Sequence, residues 1–310
     1  MLKKRLFSLF LSIVLLMSVF SPHSIAISQE ATYTAQDSSL FNYYRTLSND
    51  NNSVESVEVY TPDSSDLSLY GEKNAATVTY SNGEESLVFQ IPLDNSSIDL
   101  SSNSKIALNY INVELVGDGL GNLKIKLWAA EPLQDTNLTC VLYYGTCRDE
   151  KPQNVHKRVS NISSVGGILN PTIINDSIKT TKYFMVELYG RYLGHDNIQW
   201  QSYNLLFNKK ASKYPSYTCS LSNQLCVKPY YSNFAVTPVA ERVSWEKPDR
   251  DRYIKYFNET YNNGKAPWDW EQYQVHHIRP RKFGGTNIYS NLIPIPKDIH
   301  YKFNGWWNNY

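Results

Sequence analysis

Three imidazoles and a carboxamide near the C-terminal end of the 310-residue chain have the types and spacing for metal-assisted acid–base chemistry. They fall in Val275-His276-His277-Ile278-Arg279-Pro280, then Gly284-Gly285-Thr286, then Asn291-Leu292-Ile293-Pro294, then His300 and Asn304. Imidazole titrates near neutrality, and its neutral ring ligates divalent metals. His300 and Asn304 stand four residues apart, which on a helix puts both on one face and within reach of one ion. His276 and His277 are adjacent, so a regular strand would send them to opposite faces. Both enter one site only where the strand bends or ends, and Pro280 supplies a reason for it to end.

The elements that must position these groups read as strand, turn, strand, helix. Residues 275–278 are β-prone, Pro280 and the Gly284-Gly285 pair turn the chain, and 292–295 are apolar. Pro296 suits the first turn of a helix, where its missing amide hydrogen would be unpaired in any case. On that helix Ile299, Phe303 and Trp306 form an apolar stripe opposite His300 and Asn304. Trp306 and Trp307 are candidates for stacking on bases, but their spacing with Phe303 assigns at least one to the core. Upstream, Tyr253, Ile254, Phe257 and Tyr261 recur at helical spacing, predicting a helix over 249–263 with an Asp at its start and Gly264 as its stop.

In order and spacing these residues resemble the HNH nucleases of the ββα-metal finger type, in the form found in toxin domains. The resemblance covers about 268–310. It implies a small α+β domain in which His277 is the general base. It further implies that His276 and His300 bind one divalent metal, with Asn304 at an additional ligand position, and that Asn291 holds the loop and orients the base. The chain departs from the commoner family form in having His276 where Asp is usual and Asn304 where His is usual. It also implies a nucleic-acid substrate and, if the protein is an antibacterial toxin, a cognate immunity protein.

The chemistry can be stated without the family. Hydrolysing a phosphodiester needs a deprotonated water, a cation to offset charge on the phosphorus oxygens, and a proton for the leaving oxygen. An imidazole whose ordinary pKa is about 6.5 serves as the base near neutral pH. Imidazole ligands admit zinc, nickel or manganese, and a substrate phosphate and waters completing the shell would also allow magnesium, so magnesium or manganese is expected ahead of zinc or nickel. Arg279, Arg281 and Lys282 beside the base are candidates for neutralising nucleic-acid phosphates.

The rest of the chain carries no comparable cluster. His156 and His195 have no ligand-spaced partner and read as structural. Between 54 and 235 short alternating segments recur at 57–60, 76–80, 87–91, 111–116, 123–128 and 184–189, separated by turn signals such as Ser81-Asn82-Gly83. They predict an antiparallel β-sandwich, mainly β, whose ligand the sequence does not name. From 236 the composition shifts, because five of the seven tryptophans and three of the six histidines follow, and 236–310 is read as the HNH-like domain.

Lys3, Lys4 and Arg5 precede an apolar run over 6–20, and Ser24-Ile25-Ala26 supplies small residues for cleavage, so 1–26 reads as a secretory signal and 27–53 as a polar lead-in. The protein is thus expected to be secreted or surface-associated, with no membrane span in the mature chain. Export permits disulfides, and the equal spacings Cys140-x6-Cys147 and Cys219-x6-Cys226, each around a turn signal, predict two hairpins stapled by local bridges.

Thirty basic and 29 acidic side chains leave a net charge of +1, which excludes a strongly basic nucleic-acid coat or an acidic tail, and 14% aromatics exclude wholesale disorder. The sequence therefore predicts a metal-dependent endonuclease of DNA, with RNA as the second candidate polymer, acting as a toxin or a scavenger. The alternative is a secreted glycan- or protein-binding sandwich whose finger holds metal only for structure.

Overall fold

A computed structural model describes residues 54–60, 62, 73, 75–80, 85–93, 110–129, 132–149, 157–167, 169–192, 197–263 and 268–310. The expected export signal and lead-in, His156, His195, the turn at Ser81-Asn82-Gly83 and Gly264 lie outside these residues.

The chain is mainly β and its sheets are almost wholly antiparallel. The first sheet runs in the order β1 (Val54–Val59), β2 (Ala75–Tyr80), β3 (Glu85–Pro92), β4 (Tyr110–Gly117), β5 (Asn122–Ala129), with β8 (Gly166–Gly167) and β9 (Thr172–Ser177) both on β5. Among the described residues only the short β5–β8 pairing is parallel. The second sheet sets β10 (Lys182–Arg191) between β11 (Ile198–Gln201) and β6 (Asn137–Gly145), with β7 (Lys157–Ile162) beyond β6 and β12 (Leu205–Phe207) also on β10. Every strand segment expected from alternation falls on one of these strands, the first running one residue past the end of β1.

Alternation also builds the core. In β4, Ile111, Val113 and Leu115 point one way and join Leu87, Phe89, Ile125 and Leu127 from neighbouring strands. Leu138, Cys140 and Leu142 of β6 and Phe184, Val186 and Leu188 of β10 enter the same cluster, so the two sheets share one core. The reverse face of the first sheet buries a smaller group, Ala76, Val78, Val88 and Trp128.

The cysteines correct the sequence reading, since all four are buried free thiols. Cys140 lies inside β6 and Cys147 beyond its end, so the seven-residue step follows one extended strand rather than turning back. At about 3.3 Å per residue that step is roughly 20 Å, far beyond the reach of a disulfide. Gly145 ends the strand instead of turning a hairpin. The second pair does flank a turn, with Cys219 donating its backbone N–H to the Gln224 carbonyl and Cys226 to the Tyr217 carbonyl, each at 2.8 Å. Thr218 therefore opposes Leu225, and the two cysteines are diagonal rather than directly opposed. Diagonal neighbours sit about 7–8 Å apart, too far for a bridge without backbone movement.

The C-terminal part contains α1 (Lys247–Tyr261), the hairpin of β13 (Tyr273–His277) and β14 (Leu292–Pro296), and α2 (Lys297–Asn308). Helix α1 starts two residues before the position expected from its pattern, because Glu246 and Asp249 form a reciprocal capping box, and it ends at an Asn262 cap. Its buried residues, Tyr253 and Phe257, are among those whose spacing predicted it.

The compositional shift at 236 does not mark a break between cores. Tyr183, Leu206, Tyr214, Cys219 and Cys226 pack in one cluster with Val275, Ile293, Phe303, Trp306 and Trp307. The Trp306 indole donates to the Ser212 carbonyl at 2.9 Å and the Asn208 amide to the Trp306 carbonyl at 3.2 Å. Trp306 and Trp307, of which at least one was expected in the core, are both buried, at 2% and 4% exposure, so neither is available to stack on a base. No described helix is long and apolar enough to cross a membrane.

Candidate metal and acid–base site

Strands β13 and β14 pair with His276 opposite Ile293 and His277 opposite Leu292. Strand β13 stops at His277, which is how two adjacent histidines come to line one cleft. His276 points inward and is 4% exposed, while His277 sits half-buried at the strand end. Beyond it the chain turns through a 3₁₀ segment, Arg281–Phe283, capped by Gly284 in the left-handed region at φ 81°.

Asn291 holds this turn. Its side-chain oxygen accepts from the Arg279 backbone N–H at 2.9 Å, and its amide nitrogen donates to the carbonyls of Arg279 at 3.1 Å and Thr286 at 2.8 Å. It touches the loop, not the imidazoles. Gly285 is required for a different reason, because a Cβ there would lie 1.7 Å from the Arg279 carbonyl oxygen.

Helix α2 presents His300 to the site. The rings of His276 and His300 meet edge to face with centroids 5.1 Å apart, and Phe303 of the same helix packs 5.1 Å from His276. One turn later Asn304 brings its amide nitrogen to 3.3 Å from His300 Nδ1. His276 Nε2 is buried with no hydrogen-bond partner. A buried, unpartnered ring nitrogen is costly unless something binds it, and a divalent cation is the natural partner for a neutral imidazole.

His276, His300 and Asn304 are thus together and fit a metal of modest protein ligation. Among the described residues no three His, Cys, Asp or Glu side chains gather in one group. The donors here are two imidazoles and one amide, which leaves the remaining positions to water or a bound phosphate.

Electrostatics keep these rings neutral. Burial, with the neighbouring His300 and His277 adding to it, pushes His276 down to about 3. Burial lowers His277 as well, the Asn287 hydrogen bond opposes that shift and Arg281 reinforces it. Burial alone lowers His300.

The cleft has a volume of about 760 Å³, and His276, His277, His300 and Asn304 line it together with Arg281 and Lys282. Arg279 does not line it. Its Nε donates to the Phe283 carbonyl at 2.6 Å and its guanidinium lies 4.2 Å over the Phe234 ring, so it braces the loop.

Three lining or adjoining residues escaped the sequence reading. Arg242 and Trp245 come from the segment before α1 and line the cleft, and Trp245 meets His277 edge to face at 4.8 Å. Asn287 is hydrogen-bonded to His277. None belongs to a periodic or motif pattern, and only the fold brings 242–245 to the β13–β14 hairpin.

No protein-family model, no curated protein and no solved structure matches the chain.

Proposed function

We propose that the chain is a metal-dependent endonuclease of the HNH type, hydrolysing phosphodiester bonds of DNA or RNA. The observation that carries this reading is the pairing of His276 and His300 around an unpartnered ring nitrogen, beside His277 in one cleft bordered by Arg281, Lys282 and Arg242. That arrangement puts a base, a cation position and phosphate-binding charge side by side.

The roles follow from where the groups sit. His277 is the base that takes a proton from the attacking water, since its lowered pKa keeps it neutral. His276 and His300, with Asn304, would hold one divalent cation, magnesium or manganese in preference to zinc or nickel. When bound, that cation offsets charge on the phosphate oxygens. Arg281, Lys282 and Arg242 attract and seat the phosphate backbone, a contribution that weakens with salt. Asn291 and Gly285 keep the loop that carries Arg281 and Lys282 at a fixed distance from His277. Three basic residues and a wide cleft, with no array of base-reading side chains among the described residues, support cleavage with little sequence preference.

Cleavage of plasmid DNA and of a structured RNA by purified residues 27–310, with magnesium, manganese or chelator, tests the proposal beside His277→Ala. Chelator-sensitive cuts that His277→Ala abolishes are expected. A folded, metal-binding protein that cuts neither polymer would transfer the function to the sandwich and leave the finger a structural metal site.

A further inference from the structure

Asn287 is half-buried in the loop that follows Gly285, and none of the roles above uses it. Its side-chain oxygen lies 2.9 Å from His277 Nε2, and its side-chain nitrogen donates to the Ser244 carbonyl at 2.7 Å. A backbone carbonyl can only accept, so the contact with Ser244 fixes which end of the amide is nitrogen. The oxygen facing His277 also can only accept, so Nε2 must be the ring nitrogen that carries hydrogen. In a neutral imidazole the lone pair then belongs to Nδ1.

Ser244 is not free to move away. Segment 237–245 is pinned to the finger where the Thr237 N–H donates to the Lys282 carbonyl at 2.8 Å and Arg281 Nη1 to the Val243 carbonyl at 3.0 Å. Arg242 Nε donates to the Thr237 carbonyl at 2.9 Å, closing the segment on itself. The Trp245 ring stands edge-on to His277 and limits its rotation. The amide that orients His277 is therefore itself oriented by a strap contributed from before α1.

We propose that Asn287 is a positioning residue that holds His277 as the Nε2–H tautomer, with its own orientation imposed by the Ser244 carbonyl, so that Nδ1 receives the proton in catalysis. The second half of this statement rests on the nuclease reading, and the first half does not. In the reaction an O–H bond of the attacking water breaks and its proton goes to Nδ1. The water oxygen bonds phosphorus, the bond from phosphorus to the leaving oxygen breaks, and that oxygen takes a proton from solvent water. His277 keeps its Nε2–H bonded to Asn287 throughout and afterwards returns the Nδ1 proton to solvent.

The test is nitrogen NMR of the histidine side chains in the metal-free protein, residues 27–310, with the His277 signals assigned by their absence from His277→Gln. We expect a pyrrole-type Nε2, a pyridine-type Nδ1 and an Nε2-bound proton that exchanges slowly enough to be seen. In Asn287→Ala that proton signal should vanish, and in Asn287→Asp, which keeps an acceptor, it should persist. Cleavage by Asn287→Ala should fall on the order of 10- to 100-fold in kcat with KM little changed. A pyridine-type Nε2 in the unsubstituted protein, or an unaltered Nε2–H signal in Asn287→Ala, would overturn the assignment, and the first of these needs no substitution at Asn287. A protein with the expected spectrum and no cleavage would leave the tautomer standing and remove the nuclease.

Discussion

Tyr214 meets Trp306 edge to face, with ring centroids 4.8 Å apart and planes at 85°. The tyrosine follows β12, while the tryptophan is on the helix that carries His300, so the platform under that histidine comes from the other side of the compositional boundary. Tyr214 also packs against Phe303 at 5.4 Å and Trp307 at 6.2 Å, and is 4% exposed. Three aromatic contacts on one helix make Tyr214 the wedge that sets how deeply α2 seats. Through Phe303, which touches His276, this wedge reaches the site.

Truncating that wedge should be costly. Tyr214→Ala removes a fully packed ring and is expected to destabilise the protein by about 3–5 kcal/mol, the usual range for deleting a buried aromatic side chain. Tyr214→Phe keeps the packing and loses only the hydroxyl, which lies 3.9 Å from Cys226 Sγ, so it should cost far less. Urea unfolding followed by tryptophan fluorescence would measure both. A Tyr214→Ala midpoint equal to that of Tyr214→Phe would show that α2 is seated by its own hairpin alone.

Two glycines of the C-terminal part should respond in opposite directions to the same change. Gly285→Ala places a Cβ 1.7 Å from a backbone oxygen, so the loop must shift and the Asn291 contacts to Arg279 and Thr286 must loosen. Gly305 lies inside α2 with nothing within 4 Å of its would-be Cβ. Gly305→Ala should therefore stabilise by roughly 0.5–1 kcal/mol through helix propensity. Thermal unfolding of the two variants should move apart, with Gly285→Ala below the parent and Gly305→Ala above it.

The contrast between these glycines shows how much of the molecule could be read in its sequence. Alternation located β1 to β5 and β10, because alternate side chains of β3, β4, β5 and β10 enter the shared core while those of β1 and β2 pack mainly in the smaller cluster on the reverse face. It failed at β6, where a continuous strand runs through Cys140 to Gly145 and the equal cysteine spacing suggested a turn. Equal spacing is a count along the chain and does not distinguish a hairpin from an extended strand. In the C-terminal hairpin and helix, the meeting of His276, His277, His300 and Asn304 in one cleft was legible because strand ends and helical faces are local properties. Arg242, Trp245 and Asn287 were not, since their place depends on a strap held by backbone carbonyls that any sequence could supply. Arg279 was misplaced for a related reason: a basic residue beside a site attracts a phosphate-binding reading, and only the Phe234 ring beneath it shows otherwise.

The cysteines make a direct chemical prediction. Burial pushes Cys140 and Cys226 up to about 12, so neither forms an appreciable thiolate near pH 8. A thiol reagent at that pH should find these two unreactive in the folded protein. After unfolding in denaturant without reductant it should find four thiols, one for each free cysteine. Two missing thiols after denaturation would mean that Cys219 and Cys226 close the short diagonal gap between them once the protein is oxidised.

Metal and pH should act on stability through the same three imidazoles. In the presence of chelator His276 is held near 3 when folded but titrates near 6.5 when unfolded, and His277 and His300 are lowered in the same direction. A depressed folded pKa means that the unfolded chain binds protons first as pH falls. The stability these rings contribute is therefore complete above about 6.5 and is lost progressively as pH drops toward about 3. His276→Gln should flatten that slope. Adding manganese at neutral pH should raise the unfolding midpoint, with about 2.7 kcal/mol of stabilisation when free metal is a hundredfold above Kd. The metal effect should persist at pH 5, where His276 is still neutral in the folded protein, and should disappear in His300→Ala. Thermal unfolding at pH 5 and 7.5, with manganese or chelator, separates the outcomes. A midpoint that manganese does not move in the parent would remove His276 and His300 as metal ligands, whereas one that moves equally in His300→Ala would place the metal elsewhere in the chain.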